Sequence, residues 1–107
     1  MNVMVDFCLI PIGAGVSLSP YIARAVAILK ERGLEIERHA YGTTIQGGWD
    51  EVFDAIKACF EVVHQEGVPR VHATLKVGTR TDRAQTMADK VASVAAKLEG
   101  AGACVTL

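Results

Sequence analysis

The stretch Val71–Val77, VHATLKV, alternates apolar and polar side chains without interruption. Such alternation is the period of a half-buried β-strand, in which successive side chains point to opposite faces of a sheet. We therefore expect Val71, Ala73, Leu75 and Val77 to face a core, with the polar residues between them on the other face. This strand needs antiparallel partners and a covering layer, which the rest of the chain must supply.

Three further strands are predicted upstream of this stretch. The N-terminal segment alternates in the same way, with Val3, Val5, Phe7 and Leu9 on one side and Asn2, Asp6 and Cys8 on the other. Leu34–Tyr41 and Thr43–Gln46 predict two shorter strands. Gly42 lies between them and permits the tight turn of a hairpin.

Helices are predicted between the strands and after the last one, because apolar residues recur there at helical spacing. Ser19-Pro20 places an N-cap and a first-turn proline before the first helix, and Asp50 is expected to cap the second. Asp82 and Gln85 resemble a capping box for the third. The expected buried positions are Ile22, Val26 and Leu29, then Phe53, Ile56, Phe60 and Val63, then Met87, Val91, Val94 and Leu98.

The resulting order is strand, helix, strand, strand, helix, strand, helix. Two strand–helix–strand units joined by a hairpin predict the α+β class and a ferredoxin-like βαββαβ fold. We expect a four-stranded antiparallel sheet with helices on one face, plus an extra C-terminal helix. The 107 residues suit a single domain, so residues 1–107 should form one ferredoxin-like unit. The tail Cys104–Leu107 could add an edge strand.

Composition and charge narrow the range of partners. The net charge of −1 offers no field to attract nucleic acid or an anionic membrane, so neither is expected. The three cysteines and three histidines show no disulfide or zinc spacing, so no metal is expected. The loop Pro11–Gly15 lacks the dinucleotide and P-loop signatures, so no cofactor is expected either. Free thiols and an N-terminus that resembles no signal peptide favour a cytoplasmic location.

The face of the sheet turned away from the helices has a mixed character. It is expected to present Asp6, Cys8, Ile10, His72, Thr74 and Lys76. An open and partly apolar sheet face commonly packs on another subunit or encloses a ligand. We therefore expect self-association.

Asp6 is the most unusual member of that face, since a carboxylate within an apolar strand is costly if it is buried without a partner. Two interpretations stay open on the sequence alone. Lys76 could neutralise it, if the first and fourth strands lie close without being neighbours, or Asp6 could face a ligand.

The segment Tyr41–Trp49 combines two hydroxyls, an amide and the single tryptophan with three glycines. Hydroxyls and amides can satisfy the donors and acceptors of a neutral heterocycle, and Trp49 can stack on a ring or a cation. An ordinary hairpin with turn residues explains the same pattern.

Two other classes of function stay open. One is a small ferredoxin-like enzyme that uses His72, Cys8 or Asp6 as acid, base or nucleophile. The other is a structural or regulatory homo-oligomer without a small ligand.

An ordered series of short motifs runs through nearly the whole chain, to about Leu98. The motifs are Pro11-Ile12-Gly13, Ser17-Leu18-Ser19-Pro20-Tyr21-Ile22, Leu29-Lys30, Gly33-Leu34, Gly42-Thr43-Thr44-Ile45-Gln46-Gly47, Asp50-Glu51-Val52, Gly67, Arg70-Val71, Thr74-Leu75-Lys76-Val77, and Thr86-Met87 before Lys90-Val91. In this order and spacing they resemble the thiamine-binding protein family, in its small single-domain, YkoF-like members. The family usually has glutamate where this chain has Gln46.

The resemblance implies a subunit that assembles through its sheets into homodimers or homotetramers. It also implies non-catalytic binding of thiamine or its hydroxymethylpyrimidine moiety on the open face, near a subunit interface. Thr43, Thr44 and Gln46 would serve an aminopyrimidine, and Asp6 would face a cation. The expected ligand-binding set is Asp6, Cys8, Ile10, Thr43, Thr44, Gln46, Trp49, Thr74 and Lys76.

Overall fold

Four strands form one antiparallel sheet in the computed structural model, which describes residues 1–82 and 86–101, the last three of them by backbone alone. The strands are β1 (Asn2–Ile12), β2 (Glu35–His39), β3 (Gly42–Gly48) and β4 (Arg70–Thr79), in the spatial order β2-β3-β1-β4. The helices are α1 (Ser19–Glu31), α2 (Trp49–Gln65) and α3 (Met87–Ala101). The predicted α+β, ferredoxin-like architecture is confirmed, with β2 shorter and β3 longer than expected.

The core lies between one face of this sheet and the helices α1 and α2. Val3, Val5, Phe7 and Leu9 of β1 are each at most 4% exposed, as their alternation predicts. The fully buried residues that complete this layer are Leu29, Ile45, Val52, Ala55, Cys59 and Val63. Full burial of one large aliphatic side chain contributes about 1.5–3 kcal/mol, so the layer fixes which face of β1 is turned inward.

The covering of β4 is less complete than its sequence predicts. Val71, Ala73 and Leu75 are half-buried against the core, but Val77, expected to be buried as well, is 45% exposed. Val77 lies opposite the buried Val5, on the strand that is outermost among the described residues.

The apolar stripe of α3 is uncovered in the single chain. Val91, Val94 and Leu98 were expected to be buried, yet they are 65%, 42% and 44% exposed. The helix packs only sparsely against the rest of the described chain. Helical spacing predicted which side of α3 is apolar, but it carries no information on whether another element lies against that side.

The first two helices begin differently from the prediction. α1 starts at Ser19, and its N-cap Leu18 makes no side-chain hydrogen bond, whereas Pro20 keeps its expected place in the first turn. α2 starts at Trp49, so Asp50 lies within the first turn and is not the cap. A carboxylate at that position still interacts favourably with the positive end of the helix dipole.

The start of α3 is held by a pair that the sequence analysis missed. The Asp89 amide donates to Thr86 Oγ1 at 3.1 Å, and the Thr86 amide donates to Asp89 Oδ2 at 2.9 Å. This is a reciprocal capping box, four residues after the one expected. Asp82 pairs instead with the Arg80 guanidinium, at 2.8 Å from its Nη2. Gln85 and Cys104–Leu107 lie outside the described residues.

Gly42 lies where the hairpin crosses closest to β1. A methyl group built there would lie 2.6 Å from the backbone oxygen of Phe7, whereas one at Gly78 in β4 would meet nothing within 4 Å. We expect Gly42→Ala to lower the free energy of unfolding by about 1–3 kcal/mol, as overpacking does. Gly78→Ala is the matched control and should change it by less than about 0.5 kcal/mol. Urea denaturation measures both, and equal effects would contradict this packing.

The reactivity of the Cys59 thiol provides a second test of the packing of the core. Burial raises the pKa of its thiol to about 11, opposed only in part by the charge of Arg32. Alkylation of the native protein with iodoacetamide at pH 8, read by peptide mass mapping, should therefore modify half-buried Cys8 much faster than Cys59. Because the pKa is raised in the folded state, the stabilising contribution is complete below pH 9.0 and decreases as the pH rises towards 11. Equal alkylation rates would refute the burial of Cys59.

Candidate ligand-binding site

The open face of the sheet is organised in rows that cross all four strands. Asp6 pairs with Thr44 on one side and with Lys76 on the other, and Thr44 pairs in turn with Glu37. Residues that lie directly opposite in an antiparallel sheet share one face. The row Glu37–Thr44–Asp6–Lys76 therefore runs across the face that the helices leave uncovered.

Asp6 is paired with a side chain that sequence analysis did not select. Its Oδ1 lies 2.6 Å from His39 Nε2, and the two side chains are 42% and 40% exposed. β1 and β4 are direct neighbours, contrary to expectation, and Lys76 lies opposite Asp6. Within residues 1–82 and 86–101, however, Lys76 makes no ion pair, so the observed partner of the carboxylate is the imidazole.

The hairpin explains how His39 reaches a residue two strands away. His39 pairs with Gly42 across a two-residue turn, and its ring passes over the glycine, 3.5 Å from where a Cβ would lie. The Tyr41 amide donates to Nδ1 at 3.4 Å. Because Nδ1 accepts this bond, a ring proton lies on Nε2 and points to Asp6. In the sequence, this contact is indicated by the position of His39 and Gly42 on either side of the two-residue turn Ala40-Tyr41.

A cleft opens beside His39, between the hairpin turn and α1. Its volume is about 440 Å³, which lies in the range of small-molecule sites. Most of the lining is apolar, from β1 and α1, and Arg38 and His39 contribute a guanidinium and an imidazole. The lining residues are Phe7, Cys8, Leu9, Ile10, Leu18, Ile22, Ala25, Val26, Leu29, Arg38, His39, Ala40, Tyr41, Gly42 and Thr43.

A larger groove of about 850 Å³ lies at the opposite end of the open face, where α3 begins. Most of the side chains that line it are polar, and one of them, Gln46, is already hydrogen-bonded. Gln46 accepts from the Met87 amide at 2.8 Å and donates to Glu35 at 2.7 Å, which engages both ends of its amide. An aromatic ring is therefore better matched by the apolar cleft than by this groove.

The nine predicted site residues lie in several different parts of the structure. Asp6, Thr44, Thr74 and Lys76 lie on the open face, while Cys8 and Ile10 reach the cleft.

Thr43 and Trp49 lie elsewhere than expected, whereas Gln46 pairs with Met4 on the same face of the sheet as Asp6. Thr43 lines the cleft from the helix side of the sheet, where it pairs with Phe7 and is 5% exposed. Gln46 belongs to the polar groove at the start of α3. Trp49 opens α2 and packs on Phe53, with ring centroids 4.6 Å apart. Neither Gln46 nor Trp49 lines the cleft.

Neither a metal-binding cluster nor a membrane-spanning helix occurs among residues 1–82 and 86–101. Among those residues, no group of three or more histidine, cysteine, aspartate or glutamate side chains could hold a metal ion. No helix there combines the length and the apolar character needed to span a membrane.

Solved structures share this architecture. The chain superimposes on the protein MJ1052 of Methanocaldococcus jannaschii with a TM-score of 0.82 at 32% identity, covering 88% of this chain and 96% of that one. It also matches TM0486 of Thermotoga maritima, a proposed thiamine biosynthesis/salvage protein, with a TM-score of 0.76 over 88% and 99% of the two chains. At 22% identity, the second likeness shows the fold alone.

Sequence comparisons extend the likeness to the residues themselves. The UPF0045 protein sll0230 of Synechocystis is 54% identical over 92% of this chain and 82% of its own length. The UPF0045 protein ECM15 of Eremothecium gossypii is 39% identical over 92% and 94% of the two chains. The model of the family described as "Thiamine-binding protein" matches residues 5–95, which include all of the candidate site. The chain therefore belongs to the thiamine-binding protein family.

Proposed function

We propose that this protein binds thiamine or its hydroxymethylpyrimidine moiety, without transforming it, on the open sheet face near a subunit interface. The observation that carries the proposal is the Asp6–His39 pair at the rim of the apolar cleft. Membership of the thiamine-binding family and the likeness to the Thermotoga protein support it.

The two halves of thiamine match the two parts of this site. Its thiazolium ring is a permanent cation, which the Asp6 carboxylate attracts. Its aminopyrimidine ring is flat and largely apolar on both faces, which suits the walls that Cys8 and Ile10 contribute to the cleft. A single thiamine molecule can thus contact both the charge on the open face and the apolar surface beside it.

Hydroxyl groups next to the pair supply hydrogen bonds to the ring. Thr44 lies directly opposite Asp6, and Thr74 lies directly opposite Cys8. Each hydroxyl can both donate and accept, as an aminopyrimidine requires. Gln46 contributes indirectly, because its amide holds β2 and the start of α3 in place.

The proposal is for a binding protein and not an enzyme. The catalytic alternative uses His72, Cys8 or Asp6 as acid, base or nucleophile. His72 pairs with Ile10, two rows along the face from Asp6, and the imidazole beside Asp6 is that of His39. No observation on the described residues favours a reaction over binding.

The remaining parts of the proposal concern location and partners. We place the protein in the cytoplasm, since Cys8 and Cys59 are both free thiols. Its partners are the small ligand and further copies of itself, as a homodimer or homotetramer, with neither nucleic acid nor membrane. The uncovered sheet face and the uncovered stripe of α3 support self-association.

Asp6→Asn removes the negative charge of the carboxylate and keeps the size of the side chain. We expect the affinity for thiamine to fall about tenfold, the effect of one charge-assisted contact, and that for hydroxymethylpyrimidine to fall less. Isothermal titration calorimetry of both ligands measures this.

The matched control is Asp54→Asn, which removes an exposed carboxylate paired with Arg32 on α2 and should leave both affinities unchanged. Absence of heat with either ligand on the native protein would defeat the proposed function. An equal loss for the two ligands would show that Asp6 does not face the cation.

A further inference from the structure

Strand β1 continues past the end of its neighbour β3. The last pair between these strands joins Phe7 to Thr43, whereas β1 stays paired with β4 as far as Ile12. Beyond Phe7, one edge of β1 therefore has no strand beside it among the described residues. The apolar cleft lies along this edge, because residues 8–10 all line it. Successive side chains of a strand face opposite sides, so one cleft contacts three in a row only from the edge.

Leu9 directs its main-chain N–H and C=O towards this cleft. The Phe7 carbonyl oxygen lies 2.6 Å from where a methyl group at Gly42 would be, so the main-chain groups of Phe7 point towards β3. Alternate residues of an antiparallel strand point these groups the same way, so those of Leu9 and Pro11 point to the same edge. The proline fits this assignment, because it pairs with Val71 of β4 and has no N–H to donate.

The main-chain groups of Leu9 are buried and lack a partner on this edge. Leu9 is 4% exposed, and no hydrogen bond joins its N–H or C=O to another group on the cleft side within residues 1–82 and 86–101. Leaving such groups unpaired costs free energy comparable to a lost hydrogen bond. A ligand that supplies one acceptor and one donor recovers that free energy.

The Thr43 hydroxyl reaches the same cleft from the helix side of the sheet. Thr43 is 5% exposed, and its side chain makes no hydrogen bond with the described part of the chain. Its oxygen is nevertheless not sealed within the core, so it opens to the cleft that the residue lines. A hydroxyl can both donate and accept, so it adds a third polar contact to a wall that is otherwise mostly apolar.

We propose that the main chain of Leu9, with the Thr43 hydroxyl beside it, forms a subsite for the amine-bearing edge of an aminopyrimidine. The Leu9 N–H donates to a ring nitrogen, and the Leu9 C=O accepts from the exocyclic amine next to it. A strand edge binds an added strand through the same donors and acceptors. The inference deepens the proposed function, on which it rests for the identity of the ring.

This subsite separates recognition of the ring from recognition of the charge. The Asp6 carboxylate lies on the open face and attracts the cation, whereas Leu9 contacts the neutral ring at the strand edge. Hydroxymethylpyrimidine has no thiazolium but keeps the amine and the ring nitrogen. Loss of the amine should therefore weaken both ligands by the same factor.

Analogues of thiamine and hydroxymethylpyrimidine in which hydrogen replaces the ring amine test this contact. We expect each to bind about 5–150-fold more weakly than its parent, because the Leu9 C=O is left buried without a donor. Thr43→Val keeps the shape of the side chain and should weaken both parent ligands about 2–10-fold. Isothermal titration calorimetry measures these affinities. Thr79→Val, at the exposed end of β4 and outside the cleft, is the matched control and should change neither.

Hydrogen exchange at the Leu9 amide gives a direct readout of the main-chain contact. On saturation with hydroxymethylpyrimidine, exchange at Leu9 should slow relative to that at Cys8 and Ile10, whose main-chain groups point to β4. Unchanged relative exchange at Leu9, or equal affinities of parent and analogue, would overturn the subsite and leave the proposed function standing.

Failure of the proposed function has a different signature. If neither thiamine nor hydroxymethylpyrimidine binds, that function fails, and 2-aminopyrimidine becomes the probe because it presents the same amine and ring nitrogen. A saturable shift of the Leu9 amide signal with this probe would then support the subsite alone. No shift at millimolar probe would overturn the subsite as well.

Discussion

The central strand β1 pairs with β3 on one side and β4 on the other, and this double register fixes which face of the sheet Asp6, Thr44 and Lys76 occupy. Its odd-numbered apolar residues form the core, and Asp6, Cys8 and Ile10 therefore face the opposite way. A slip of one residue would exchange the two faces and bury the Asp6 carboxylate at a large cost. Core stability and site geometry are thus two consequences of one alternating pattern.

The same alternation shows why the fold was easier to predict than the site. Period-two patterning in β1 and β4 indicated the sheet and its inward face, and Asp6 was selected on that ground. His39 was missed because its contact depends on the hairpin register and on the absence of a side chain at Gly42. Thr43 and Thr44 were grouped as one binding segment, but neighbours in a strand point to opposite faces.

Helix α3 marks a different limit of sequence reasoning. The spacing of its apolar residues was recognised. The surface that covers such a stripe belongs to tertiary or quaternary structure, and the local sequence does not indicate it. Its start was placed too early because Asp82 is followed by a plausible partner at the right spacing, while Thr86 and Asp89 form the actual cap. Gln46 gained its structural role through contact with this helix, which no pattern within β3 could reveal.

The proposed function depends on a ligand lying between the Asp6–His39 pair and the apolar cleft. Amide chemical shifts of ¹⁵N-labelled protein, followed during addition of thiamine, test this most directly. We expect the largest changes in residues 6–10 of β1 and in the hairpin turn around His39 and Gly42, with α2 unaffected. Saturable changes centred on α2, or none anywhere at millimolar thiamine, would contradict the account.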